Sequence, residues 1–314
     1  MTGHRLDPSA AGARPPSGRQ HRLAVGDQEA VITESGATLR LYRRAGRPVV
    51  DGFAEDHRSE AGAGQILMPW PNRIRDGRYS FGGSSHQLAL NEPARGNAIH
   101  GLARWLSWRT DSASEDAVRL SCRLMAQDGY PFGLQLGVEY RLGEAGMTVT
   151  MTALNEGATP APFGAGAHPY LIPPGGSVDR ARLTVPADTV LVTDERGIPV
   201  GSAPVEGTGF DFRSPRPIGS LAMDTAFTRL SRDEQGRATV RLGDDQGTTE
   251  LWADGGFDYL MVFTADTLAG ERRRRAVAVE PMTCPPNAFA TGEALVVLQP
   301  GEAFAGSWGI TPFL

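Results

Sequence analysis

The sequence predicts an all-β fold, a mostly antiparallel sandwich with little helix. Apolar and polar residues alternate with a period of two in several stretches, as in strands with one buried face. Turn-forming residues separate these stretches at short intervals. The chain also contains 39 Gly and 23 Pro, and no stretch has a convincing period of 3.6. Many short strands with little room for helices are typical of a sandwich.

The N-terminal segment differs from the rest of the chain. Residues 1–20 are rich in Pro, Gly, Ser and Arg and have no hydrophobic period, so we expect a disordered tail there. Beyond position 20, no change of composition marks a linker and no internal repeat stands out. We therefore expect a single domain over residues 21–314.

The alternation is clearest in the middle of the chain. From Val118 to Leu124, apolar side chains take every second position and polar side chains lie between them. The same pattern predicts strands over 136–142 and 147–151. Later strands are expected at 248–253, 259–263, 275–279, 294–298 and 303–310. Turns are expected at 155–157, 243–247 and 300–302, where Gly, Pro, Asn and Asp are frequent.

Charge and composition exclude several kinds of partner and chemistry. The formal net charge is -5 and no domain is basic, so we do not expect nucleic acid as a partner. No run approaches the roughly 20 apolar residues of a membrane span, so we expect no membrane partner. All 31 basic residues are arginine, which excludes Schiff-base chemistry through a lysine.

The two cysteines carry little information about chemistry. Cys122 lies in an alternating stretch and is expected to face the core, and Cys284 has no activating pattern around it. Two such residues form neither a disulfide framework nor a metal-ligand motif. The N-terminus also lacks the apolar core of a signal peptide. A reducing cytoplasm is therefore the expected compartment.

The segment 161–171 carries the first candidate for catalysis. Four small residues, 164–167, precede His168, and Pro169 follows it. A residue before proline is held extended, so His168 is expected at a strand end beside an open space. Its imidazole can give or take a proton near neutral pH. The alternative is a hydrogen-bonded histidine with a structural role.

A rigid segment at 65–78 offers groups that suit a sugar. Pro69 and Pro71 flank Trp70, and Asn72 and Arg73 follow. A tryptophan beside an amide and a guanidinium could hold the apolar face and the hydroxyls of a sugar. The alternative is a packed tryptophan with surface arginines.

Two further residues are weaker candidates. His100 lies between Ile99 and Gly101, and the glycine would let a ligand approach. It has no local spacing to His168 and no third ligand of the kind expected of catalytic zinc, so we expect no metal. Asp224 enters an apparent strand, where it is either a turn or cap residue or an acceptor for a hydroxyl.

Glu280 is the most unusual residue in the sequence. It follows the apolar run 276–279 and precedes Pro281, although glutamate is rarely buried without a partner. A partly desolvated carboxylate at a strand end would have a raised pKa and would be a better base near neutral pH. The alternative is that the strand reaches the surface there.

Taken in order, these motifs resemble the aldose 1-epimerases, or galactose mutarotases, over roughly residues 21–314. The motifs are Asn72-Arg73-Ile74, His100-Gly101, His168-Pro169-Tyr170, Asp224 and Glu280. The resemblance implies a galactose mutarotase-like β-supersandwich that acts on a free monosaccharide with no metal or other cofactor. It also implies that Glu280 is the general base, that His168 is the general acid, and that Asn72, Arg73, His100 and Asp224 hold the sugar. We expect a monomer or homodimer.

Two segments depart from the galactose-type pattern. Glu280-Pro281-Met282 stands where those proteins usually carry Glu-Thr-Gln, and the residues around His168 differ from their Asn-His-x-Tyr-Phe-Asn. In these features the chain looks more like a bacterial branch that includes suspected sulfoquinovose mutarotases. The departures bear on the identity of the sugar more than on the reaction.

Three other functions stay open at the level of the sequence. A sugar-binding or regulatory protein could use the same fold without catalysis. A glycoside hydrolase or lyase would need two carboxylates, for which only Glu280 and Asp224 are available. An epimerase of a phosphorylated or sulfonated hexose would need a basic pocket, to which Arg75 and Arg78 could contribute.

Overall fold

The computed structural model describes residues 14–314. Most of the predicted tail, residues 1–13, lies outside the described residues. The remaining part is hydrogen-bonded to the folded chain, since the carbonyl of Ser17 accepts from the Ser35 N–H at 3.0 Å and that of Arg19 from the Glu34 N–H at 2.8 Å. The folded part of the chain therefore begins before His21.

The described residues form strands almost throughout, as the sequence predicts. The strands are β1 (Gln20–Val25), β2 (Gln28–Thr33), β3 (Leu39–Arg44), β4 (Arg47–Pro48), β5 (Ile66–Leu67), β6 (Arg73–Arg75), β7 (Arg78–Phe81), β8 (Ser84–Gln87), β9 (Asn97–Ile99), β10 (Arg109–Ala113), β11 (Ala117–Leu124), β12 (Leu134–Leu142), β13 (Met147–Asn155), β14 (Ala161–Phe163), β15 (Gly166–Ala167), β16 (Tyr170–Leu171), β17 (Arg182–Thr184), β18 (Ala187–Thr193), β19 (Pro199–Pro204), β20 (Arg216–Pro217), β21 (Asp224–Leu230), β22 (Ala238–Asp244), β23 (Gly247–Ala253), β24 (Tyr259–Phe263), β25 (Val277–Met282), β26 (Val296–Leu298) and β27 (Ala303–Phe313). Helix within residues 14–314 is limited to α1 (Ala288–Thr291) and short 3₁₀ turns at Pro93–Arg95 and Gly270–Arg272. None of these is long and apolar enough to cross a membrane.

Two large antiparallel sheets contain most of the strands. One has nine strands in the order β10-β11-β12-β13-β27-β23-β22-β17-β20. The other has eight, with the order β19-β18-β21-β24-β25-β15-β5 and with β16 added to β25. A four-stranded sheet, β1 to β4, lies at the N-terminus, and short ribbons pair β6 with β9, β7 with β8 and β14 with β26. This architecture confirms the predicted all-β, antiparallel fold.

The core follows directly from the alternation in the sequence. In β11, β12 and β13, every second side chain is buried, and the buried apolar ones belong to one large hydrophobic cluster. The same cluster includes Leu260 and Val262 of β24 and Val277 and Val279 of β25, so it joins the two large sheets. Cys122 belongs to it as well, in agreement with its predicted orientation.

Strand β25 is the element that positions the candidate site. It pairs with β24 along one edge and with the short strands β15 and β16 along the other. All six of its residues are buried. A polar side chain on this strand is therefore held inside the protein by the ladders on both sides.

Candidate active site

Glu280 and His168 are in direct contact. Glu280 lies within β25, where it pairs with Met261 of β24, and His168 lies between β15 and β16. His168 Nε2 is 3.2 Å from Glu280 Oε1. The sequence-based expectation of a carboxylate at a strand end is wrong, because β25 continues to Met282. Because the two groups touch, they do not stand apart with room for a sugar between them.

Burial sets the protonation of this pair. Only 2% of Glu280 and 5% of His168 is exposed. Burial raises the pKa of Glu280 well above its usual range; the charge of Asp224 adds to this rise and Arg73 opposes it. Burial also lowers the pKa of His168 to about 3, and the charges of nearby arginines act in the same direction. A neutral pair is therefore favoured over an ion pair.

Each member of the pair keeps one unused polar atom. Glu280 Oε2 and His168 Nδ1 are buried and have no hydrogen-bond partner among the described residues. The ring of Tyr170 stacks on the imidazole, with centroids 4.9 Å apart, and its hydroxyl donates to the Ala61 carbonyl at 2.9 Å. This stacking holds the plane of the imidazole against the cleft wall.

The ribbon of β6 and β9 brings Asn72 and His100 together. The backbone N–H of His100 donates to the Asn72 carbonyl at 2.9 Å, and the N–H of Asn72 donates to His100 Nδ1 at 3.2 Å. Both residues have positive φ, 53° and 64°, which turns the chain sharply at the end of the ribbon. Since Nδ1 is an acceptor, neutral His100 carries its proton on Nε2. Burial lowers the pKa of His100, which favours this neutral form.

The hydrogen bond from the Asn72 N–H to His100 Nδ1 determines how well a metal ion would fit the site. Ligand atoms of His100, His168 and Glu280 lie within 4.8 Å of one another. Coordination through His100 Nε2 would require the proton to move to Nδ1, where it would face the N–H of Asn72. As a hydrogen-bond donor, His100 suits an oxygen of a polar ligand better than a metal ion.

Arg73 lies between two carboxylates. It is mostly buried and donates from Nε and Nη2 to Glu92 at 3.0–3.2 Å. Its Nη2 is also 3.4 Å from Asp224 Oδ2, and Arg95 Nη1 approaches the same oxygen at 3.4 Å. Asp224 begins β21 and stays partly exposed. Arg73 and Arg95 therefore supply hydrogen-bond donors to the site, and Asp224 supplies an accessible acceptor.

These residues surround one cleft of about 430 Å³. It contains all six residues that the sequence singled out, which are Asn72, Arg73, His100, His168, Asp224 and Glu280. Trp70 does not line it: its ring is buried and packs on Phe289, with centroids 5.6 Å apart. The tryptophan that lines the cleft is Trp105, which is 51% exposed. Trp105 has no distinctive sequence context, so no signal marked it in advance.

Arg75 and Arg78, the arginines expected to supply a basic pocket, lie outside the cleft. Arg75 pairs with Asp194 and Arg78 donates to Gln87 at 2.9 Å, and neither lines the cleft. Arg104 does line it, and it donates from Nη1 to Gln65 Oε1 at 3.2 Å. Its Nε is buried without a partner, and it forms no salt bridge within residues 14–314.

The cysteines lie outside this chemistry. Cys122 and Cys284 are both buried, and burial raises the pKa of each thiol to about 12. A thiol with so high a pKa is not a nucleophile at neutral pH.

Comparison with known sequences identifies relatives along most of the chain. The sequence profile of the family described as aldose 1-epimerase matches residues 20–311. The uncharacterized protein YihR of Escherichia coli K12 is 33% identical over 294 residues, covering 91% of each chain. Human galactose mutarotase is 32% identical over 59% of this chain and 57% of its own. Maltose epimerase of Levilactobacillus brevis is 29% identical over 70% of this chain and 71% of its own.

Solved structures share the fold at lower sequence identity. An aldose epimerase homologue from C. elegans superposes with a TM-score of 0.82 over 93% of this chain and 98% of its own, at 21% identity. Galactose 1-epimerase from Lactobacillus acidophilus superposes with a TM-score of 0.75 over 91% of this chain and 92% of its own, at 23% identity. These likenesses agree with the predicted mutarotase-like supersandwich.

Proposed function

The chain belongs to the aldose 1-epimerase family and is a carbohydrate epimerase, and we propose that it interconverts the α and β anomers of a free aldose. The observation that carries this proposal is the 3.2 Å contact between His168 Nε2 and Glu280 Oε1 in the cleft. Opening a cyclic hemiacetal requires a proton to leave the O1 hydroxyl and another to reach the ring oxygen O5. Both oxygens are bonded to C1, so an acid and a base that contact each other can exchange protons with both oxygens.

In the proposed reaction, Glu280 is the general base and His168 the general acid. The neutral pair and the carboxylate–imidazolium pair have the same total charge, so sugar binding need only favour the second. Glu280 takes the O1 proton, the C1–O5 bond breaks as the C1 carbonyl forms, and His168 gives its proton to O5. Rotation about C1–C2 exposes the other face of the carbonyl, and the reverse transfers close the ring.

Four residues are proposed to hold the sugar. His100 can donate from Nε2, and Arg73 supplies fixed guanidinium donors. Asn72 Oδ1 accepts from the Arg73 N–H at 2.9 Å, which leaves its amide NH₂ to donate to a hydroxyl. Asp224 is the partly exposed acceptor. Donors and acceptors on several sides of one cleft are suited to a ring of hydroxyls.

The reaction can be tested by polarimetry or by NMR of anomeric exchange. Freshly dissolved α-anomers of glucose and galactose are followed with and without protein, and we expect faster equilibration of at least one. Sugar binding measured by calorimetry without any acceleration would instead favour a non-catalytic binding protein. Release of aglycone from a chromogenic glycoside would favour a hydrolase.

A second candidate substrate is a hexose that carries a phosphate or a sulfonate. The specific observation is Arg104, which lines the cleft without a carboxylate partner in the described part of the chain. Burial lowers the pKa of Arg104 to about 10, so it still carries a positive charge at neutral pH. A partly buried cation without a counter-charge is costly, and an anionic group on the substrate would supply that charge.

The two substrate classes can be separated with one variant. For a hexose phosphate or sulfonate, Arg104→Gln should lower kcat/KM about tenfold or more, because a charge-assisted hydrogen bond is lost. For glucose or galactose the same variant should have a much smaller effect. Equal effects on charged and neutral sugars would rule out an anion-binding role for Arg104.

We further propose that the protein acts in the cytoplasm as a monomer or homodimer. Two free, buried cysteines support a reducing compartment. Light scattering after gel filtration would give the mass of the particle, and fractionation of the source cell would test the compartment.

A further inference from the structure

Glu92 makes the shortest polar contacts of Arg73. Its Oε2 accepts from Arg73 Nε at 3.0 Å, and its Oε1 accepts from Nη2 at 3.1 Å. The contact of Arg73 with Asp224 is longer, at 3.4 Å. A two-oxygen contact along one edge of a guanidinium fixes the orientation of the plane as well as the position of the charge.

Glu92 is itself held in place by its neighbours. Its Oε2 accepts from Asn97 Nδ2 at 2.8 Å, and Asn97 is fully buried. The backbones of the two residues are also paired, with N–H to carbonyl distances of 3.0 and 3.2 Å in the two directions. The 3₁₀ turn Pro93–Arg95 closes this loop. The Glu92 carboxylate is therefore held in position by contacts other than the one with the Arg73 guanidinium.

Asp224 is held much less firmly. Its Oδ2 lies 3.4 Å from both Arg73 Nη2 and Arg95 Nη1. Its side chain is 36% exposed at the cleft, against 20% for Glu92. Hydrogen bonds at the long limit of distance are weak, so the Asp224 carboxylate can accept other donors.

We infer that Glu92 is a positioning residue: by holding the Nε edge of Arg73, it keeps the guanidinium from closing on Asp224 and leaves that carboxylate free to accept a sugar hydroxyl. This inference rests on the proposed function. Glu92 does not itself carry out proton transfer, because its two oxygens are occupied by Arg73 and Asn97. Without the Glu92 charge, Arg73 would turn to Asp224, the nearest remaining carboxylate in contact with it.

The test is Glu92→Gln, which keeps the size of the side chain and removes its charge. We expect KM for the sugar to rise about tenfold, as for the loss of a charge-assisted contact, and kcat to change less than threefold. Glu139→Gln is the matched control. Glu139 also binds arginine side chains, Arg119 and Arg141, but it lies on the nine-stranded sheet away from the cleft, so KM should not change.

A second variant separates positioning from loss of structure. If Glu92 acts by sparing Asp224, Glu92→Gln should change KM less than twofold when Asp224→Asn is already present. Equal effects in both backgrounds would overturn the inference, and so would an unchanged KM in the single variant. Thermal melts of all variants identify any that unfold, and Glu92→Asp then serves as the milder replacement.

The outcome can be separated from failure of the proposed function. If the wild-type protein accelerates no mutarotation, the same variants are compared by the Kd for the sugar that binds in calorimetry. A tenfold weaker Kd in Glu92→Gln, absent when Asp224→Asn is present, would support the positioning role without catalysis. No change in Kd would overturn it.

Discussion

The nine-stranded sheet and the cleft are built on opposite structural rules. In the sheet, β11, β12 and β13 have eight or nine residues each and pair without a break in register. Around the cleft, β5, β15 and β16 have two residues each, and β6 and β9 have three. Long regular ladders give the sheet its stability, whereas short strands allow the chain to turn and point side chains into one space.

The buried polar groups follow the same division. Asn72, Arg73, His100, His168 and Glu280 are all buried and all line the cleft. The inward faces of β11 to β13 are almost entirely apolar. Burying ionisable groups costs free energy, and proteins concentrate that cost where function needs it. The comparison predicts that changes at the cleft alter activity at little cost in stability, and that changes in the sheet do the reverse.

The strongest test of this division is Glu280→Gln. The amide keeps the shape of the side chain but cannot take a proton from O1, so the mutarotation rate should fall by about 10²–10⁴-fold. Stability at neutral pH should hold or rise, because the variant no longer buries an ionisable carboxyl. Anomeric exchange NMR and denaturant unfolding measure the two effects. A rate above a few per cent of wild type would exclude Glu280 as the base.

The converse test is Leu120→Ala in the middle of β11. Leu120 is fully buried in the core cluster, so its truncation should lower the free energy of unfolding by about 2–5 kcal/mol. Below the melting transition, kcat/KM should stay within twofold of wild type, since the residue does not line the cleft. A large loss of activity in the folded variant would contradict the separation of the two regions.

Two glycines with positive φ sharpen the comparison further. A Cβ on Gly62 would lie 2.6 Å from His168 Cδ2, whereas a Cβ on Gly26 would meet nothing within 4 Å. Alanine at either site should cost about 1–2 kcal/mol of stability from backbone strain. Only Gly62→Ala should also displace the imidazole and lower kcat by about tenfold or more. Similar activity in the two variants would mean that the imidazole position is not critical.

More of the nine-stranded sheet than of the cleft could be predicted from the sequence. The strands at 118–124, 136–142 and 147–151 were predictable because a period of two is a local signal. The same holds for 259–263, which is β24 as predicted. The strand predicted at 275–279 is β25, which begins and ends later, at Val277 and Met282. Pro281 does not interrupt this strand, although a proline usually indicates a strand end.

The cleft residues were predictable only in part. Motifs supplied all six candidates, and these residues do lie together. The contact between His168 and Glu280 depends on two strands pairing with β25, and no local pattern encodes that pairing. Glu92, Arg104 and Trp105 were missed for the same reason, since their roles arise from loops that meet only in the folded protein.

The smallest expected effect is on the free energy of unfolding, which should fall at acidic pH because of His168. The pKa of His168 is lowered to about 3, and that of an unfolded histidine is about 6.5. A group whose pKa is lower in the folded state contributes stability that is complete above the unfolded pKa and is lost as pH falls toward the folded pKa. Between pH 6.5 and 3, this loss is about 1.4 kcal/mol for each pH unit. Glu280 acts with the opposite sign, because its pKa is raised.

The variant His168→Asn isolates this contribution. From pH 6.5 to 5.5, the free energy of unfolding of the wild type should fall by about 1 kcal/mol more than that of the variant. His57→Asn is the control, because His57 is exposed and lies outside the cleft, so its curve should follow the wild type. Denaturant titrations at the two pH values provide the measurement. Parallel curves for wild type and His168→Asn would mean that the pKa of His168 is the same in the folded and unfolded protein, and a smaller fall in the wild type than in the variant would indicate a His168 held protonated by Glu280; either result would contradict the neutral pair.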